Sequence, residues 1–176
     1  MSFRIVGLPA EPFAALFQLD DAALAARGAR RVIATGNPGY PCRVSIEDAA
    51  VGEECLLLPF EHMAVDSPYR ASGPIYVRRG AVSRTVAVDE VPDYVRRRLI
   101  SLRGYDAAGM MIDADVVAGD DVAARIAQSF ANPAVRDIHL HNARDCVVEN
   151  NIFALGGKFQ FDLHGWTKEQ RFYTSH

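Results

Sequence analysis

The sequence is short of the features that commit a chain to a special environment. Cysteine is scarce: Cys42, Cys55 and Cys146 form an odd set with no Cys-x-x-Cys pair. That excludes a closed disulfide framework and a zinc-thiolate site, and free thiols in a reducing cytoplasm are expected. No apolar run approaches the ~18 residues of a membrane helix, so no membrane partner is expected. The segment from Met1 to Pro12 is broken by Arg4, Pro9 and Glu11, which does not fit a secretory leader. Basic charge is not in excess, with 19 Lys and Arg against 22 Asp and Glu. The dense basic run Arg96, Arg97 and Arg98 reads as a helix end, where cations suit the dipole, so nucleic acid is not expected as a partner. No Gly-x-Ser-x-Gly elbow supports a serine hydrolase.

What remains is ordinary globular composition. Hydrophobic residues make up 49% and charged residues 23% of the 176, which rules out general disorder and suits one domain with one core. No repeat or low-complexity linker divides the chain, so a single domain over 1–176 is expected.

Periodicity then assigns elements. Phe3 to Gly7 alternates apolar and polar and reads as an opening strand. Asp20 and Asp21 cap a short Ala-rich helix that stops at Gly28. Arg31 to Thr35, Cys42 to Ile46, Cys55 to Phe60 and Pro74 to Arg79 read as strands, the third nearly all apolar and so covered on both faces. Glu61 to Gly73 reads as a polar loop. Pro92 opens a helix ending near Leu99. Ile100 to Tyr105 and Met110 to Val117 form a hairpin about Asp106–Gly109. Asp120 and Asp121 open a helix whose stripe is Val122, Ile126 and Phe130. Val135 to Asn142 is the next strand, and 152–163 reads as a second hairpin followed by an aromatic tail. Strands outnumber helices and connections are short. The expected fold is α+β: a mixed, mostly antiparallel sheet with a few helices packed on one face.

The chemistry follows from alternation across the strands. His139 and His141 share one face of their strand, opposite Ile138 and Leu140. Asp113 and Asp115 share one face of theirs, opposite Ile112, Ala114 and Val116. If the helix between the two strands covers both apolar faces, all four polar residues point to the other side, with Arg103 and Tyr105 beside them. Such a gathering suits a site. Two versions stay open. His139, His141 and Asp113 or Asp115 make a two-histidine, one-carboxylate set for iron, manganese or zinc. Alternatively, a histidine acts as general base with an aspartate fixing its tautomer. In both, Arg103 holds the carboxylate or phosphate of a small anionic molecule. Tyr69 and Arg70, on the polar loop, close over the face and touch the ligand. His62 on the same loop reads as a satisfied boundary histidine, and Cys42 as a core residue. A non-catalytic binding module, homodimeric through its aromatic tail, is the competing reading.

Several segments come in an order found elsewhere: Pro41-Cys42-Arg43-Val44-Ser45, Pro68-Tyr69-Arg70 running into Ile75-Tyr76-Val77, Gly109-Met110-Met111 with Asp113-Ala114-Asp115, and His139-Leu140-His141-Asn142-Ala143. On these the chain resembles the bacterial domain-of-unknown-function family 1203, from about Phe3 to Cys146, with the stretch 147–176 as an extra hairpin and tail. The resemblance implies a bacterial, cytosolic, stand-alone domain and no particular activity. It singles out Asp113, Asp115, His139, His141 and Asn142.

Overall fold

A computed structural model describes residues 2–143; the second hairpin, the aromatic tail and Cys146 lie outside the described residues. The N-terminal segment is extended but forms only an isolated bridge, Val6 to Thr85. Two short turns of helix follow, α1 (Glu11–Ala14) and a 3-10 turn (Ala15–Gln18), and then α2 (Asp21–Ala25). The α2 cap is as the sequence dictates: the Asp20 carboxylate accepts from the Ala23 amide, and Gly28 leaves the helix at φ 68°, where a Cβ would be strained.

The strands are β1 (Arg30–Ile33), β2 (Pro41–Cys42), β3 (Glu47–Asp48), β4 (Glu54–Met63) and β5 (Ala71–Arg78). They form a sheet in the order β1-β4-β5-β2-β3, with only the β2–β5 pair parallel. Helix α3 (Asp93–Arg96) leads to β6 (Leu99–Tyr105) and β7 (Met111–Ala118), then α4 (Val122–Phe130) and β8 (Asp137–Asn142). These last strands form a separate sheet, β7-β6-β8, antiparallel throughout. The fold is therefore α+β, with two sheets where the sequence led us to expect one. Each sheet has its own apolar cluster. Phe13, Phe17, Leu24, Val44, Leu56 and Val77 fill the first, and Val95, Ile100, Leu102, Val122 and Ile126 the second.

Alternation misjudged two strand ends. Cys42 to Ile46 is not a strand throughout. Pairing stops after Cys42, and Ile46 turns at φ 55°, a left-handed conformation that no strand accepts. In the other direction, β4 continues past Phe60 to Met63, because Glu61 and Met63 still pair with Ser72 and Ala71. The polar loop thus shrinks to 64–70, and His62 becomes a strand residue.

Candidate functional site

Register decides which side chains meet. In the three-stranded sheet, Arg103 stands opposite His139 and Ser101 opposite His141. These four, with Tyr105, share one face. Leu102 and Leu140 share the other, which α4 and α3 cover. The far side of the histidine face meets the end of the β4–β5 hairpin. There the register slips between Glu61 and Met63, so His62 is the extra residue of a β-bulge. Bulges re-aim side chains, and this one turns His62 toward the other sheet. Its ring centroid lies 5.0 Å from that of His141 and 5.9 Å from that of His139. The chain also comes close at Gly73, where an added Cβ would stand 3.6 Å from the His62 ring.

The result is a triad. One potential ligand atom from each of His62, His139 and His141 can be chosen so that all three lie within 4.8 Å of one another. The triad is half-buried, and the His141 Nε2 is buried with no hydrogen-bond partner. A buried polar atom without a partner is uncommon and calls for an explanation. Burial holds the His141 imidazole far below its usual range, at about 2, and Arg103, His62, His139 and Arg43 push the same way. Burial also lowers His139, with Asp137 opposing and Arg103 assisting. Both imidazoles are therefore neutral at pH 7, the form that binds metal. Among the described residues this is the one group of histidines, cysteines or carboxylates placed to hold an ion.

Aromatic rings wall the triad. Tyr105 lies 5.0 Å from His139, centroid to centroid, and Tyr69 lies 6.2 Å from Tyr105. Burial pushes the Tyr105 hydroxyl up, with the Arg103 guanidinium beside it pulling the other way. Tyr69 is held there by the loop 64–70. The Ser67 hydroxyl donates to the Gly109 carbonyl at 2.9 Å and accepts from the Tyr69 amide at 3.1 Å. At Gly109, with φ 73°, a Cβ would stand 2.9 Å from the Val65 side chain, so only glycine allows this approach. Among the described residues no carboxylate forms a salt bridge with Arg103.

Residues 39–150, more than half the chain, match the family described as Protein of unknown function (DUF1203). The chain belongs to this family. No curated protein and no solved structure matches it. The three triad histidines of this DUF1203 chain, with Tyr69, Arg103 and Tyr105, fall inside the matched segment.

Several expected site residues stand elsewhere. Asp113 and Asp115 are on the opposite face, across from Gly104 and Leu102. There the Arg125 guanidinium of α4 donates to Asp113 at 2.6 Å and to Asp115 at 2.8 Å. It also donates to the Ser129 hydroxyl at 2.5 Å. Both carboxyls are held below their usual range mainly by Arg125. The expectation failed because it let the helix cover every apolar residue. Instead α4 places a polar flank over the edge strand, and Ile112 and Val116 turn outward, 41% and 47% exposed. The available signal was Arg125 and Ser129, four apart beside the stripe Val122 and Ile126, a polar pair on the helix flank. Arg70 is paired with Glu61 at 2.7 Å. Asn142 stands opposite Ile100, on the face away from the triad. Cys42 is fully buried core. Burial raises the Cys55 thiol to about 11, which makes it inert as a nucleophile.

Proposed function

We propose that this chain is a metal-dependent enzyme for small anionic molecules, with a divalent ion held by His62, His139 and His141. The observation that carries the reading is the three imidazole nitrogens within 4.8 Å, supplied by two different sheets. With Asp113 and Asp115 engaged by Arg125, the two-histidine, one-carboxylate set for iron loses its carboxylate. An all-imidazole set suits zinc best, and three protein ligands leave a fourth position open, as catalytic zinc requires. An ion there supplies Lewis-acid chemistry. The chain's own residues do the rest. Tyr105 and Tyr69 exclude water from one side, and Arg103 offers a fork of donors to a carboxylate or phosphate.

A metal-free acid–base mechanism is less well supported. A general base works best with a pKa near the working pH; burial takes His141 far below it, to about 2, and lowers His139 as well. No helix among the described residues is long and apolar enough to cross a membrane, and two buried free thiols agree with a bacterial cytoplasmic setting.

Cobalt(II) is the direct probe, because its visible absorption reports tetrahedral nitrogen coordination. Metal-free protein titrated with cobalt(II) gains such bands, saturating at one ion per chain, and His62→Ala abolishes them. The loaded protein then hydrolyses small anionic esters that the chelated protein leaves intact. Bands that survive in His62→Ala, or no bands at all, would sink the reading.

A further inference from the structure

Beside the edge of β8 that faces away from β6 lies a concavity of about 330 Å³, within the size range of small-ligand pockets, roughly 300–1,000 Å³. It opens between the N-terminal segment, the Pro41–Arg43 corner and α3. Its polar rim is Arg4, Arg43, Arg98, Tyr94, Asn142 and His141. Its floor is apolar, made by Ile100, Ile138 and Leu140 on the face of the sheet away from the histidine triad. Among the described residues three cationic side chains line it and no carboxylate does.

The three arginines are not equivalent. Arg98 is committed: it donates to Asp48 at 2.6 Å and to the Tyr94 carbonyl. Among the described residues the Arg43 guanidinium makes one hydrogen bond, to the Pro41 carbonyl at 3.0 Å. Among the described residues no carboxylate forms a salt bridge with Arg43 or Arg4. Two guanidinium groups therefore face one apolar-floored space with no carboxylate paired to them among the described residues. A guanidinium presents donors in a planar fork that matches a carboxylate or phosphate. The apolar floor adds affinity in proportion to the carbon it covers.

We infer that this cavity is a second binding site, for an organic anion with one carboxylate or phosphate head and an apolar body. The head sits between Arg4 and Arg43 and the body lies on Ile100, Ile138 and Leu140. The site stands whether or not the triad binds metal, since His141 is the one residue the two share.

The test is calorimetry and thermal unfolding of the full chain, zinc-loaded and zinc-free, with benzoate, phenyl phosphate, inorganic phosphate and uncharged benzamide. Benzoate or phenyl phosphate should bind and raise the Tm, by similar amounts with and without zinc. Benzamide should not bind, and inorganic phosphate should bind more weakly than phenyl phosphate. Arg4→Gln and Arg43→Gln should each weaken binding roughly tenfold, as loss of a charge-assisted contact does, with zinc content unchanged. Arg4 is exposed, so its replacement leaves the fold intact and keeps the test decisive. Benzamide binding as tightly as benzoate would overturn the proposal. So would unchanged affinity in both variants, or no binding of either organic anion at millimolar concentration. Which of phenyl phosphate and benzoate binds tighter tells the phosphate head from the carboxylate.

Discussion

The surroundings of His141 move its imidazole far from its usual chemistry. Its imidazole is buried beside Arg103 and Arg43 and has an orphaned Nε2. In metal-free protein this has a cost that depends on pH. The unfolded chain takes up a proton near pH 6.5 and the folded one not until about 2. Stability is therefore full above pH 6.5 and falls as pH drops through that window, by up to about 1.4 kcal/mol per pH unit. Urea melts of metal-free protein at stepped pH should show this slope, and His141→Phe should flatten it. Asp113 and Asp115 predict the opposite kind of result. Asp113→Asn should weaken the Arg125 network and cost about 1–3 kcal/mol, yet leave metal binding intact. Urea melts and metal content of that variant check both halves.

At the scale of elements, the contact between β3 and the end of α3 is electrostatic. The Asp48 side chain on β3 is only 1% exposed and accepts from Arg98 at 2.6 Å, with Arg97 at 3.4 Å. It ties β3 to the end of α3. Removing one partner of a buried pair leaves the other charge uncompensated. Asp48→Ala should thus destabilise by about 3–5 kcal/mol, read by chemical denaturation, whereas the exposed Arg70–Glu61 pair should be worth under about 1 kcal/mol. Elements of this kind were unevenly legible. The hairpin around Asp106–Gly109, the α4 stripe of Val122 and Ile126, the Asp20 cap and the His139–His141 face all follow from periodicity and turn chemistry. His62 does not. The apolar run ends at Phe60, and the strand goes on only because β5 supplies partners for Glu61 and Met63. That is a fact of tertiary pairing, which periodicity along the chain does not carry. The split into two sheets is equally non-local, since it depends on which strand meets which across the long connection 79–98.

For the whole molecule, the triad matters because its members come from both sheets: His62 from the five-stranded one, His139 and His141 from the three-stranded one. An ion there is a cross-link between two cores. Binding to the folded state alone stabilises by mass action, about 2.7 kcal/mol at a hundredfold excess over Kd. Zinc should raise the Tm of the wild-type chain, and His62→Ala should remove that rise while remaining folded without metal.

The most direct measurement is metal content by elemental mass spectrometry, on full-length protein purified without an affinity tag and equilibrated with zinc. The triad predicts about one zinc per chain. It also predicts loss of that zinc in each of His62→Ala, His139→Ala and His141→Ala, and retention in Asp113→Asn and Asp115→Asn. Zinc that persists in folded His62→Ala, or that disappears with either aspartate, would contradict it.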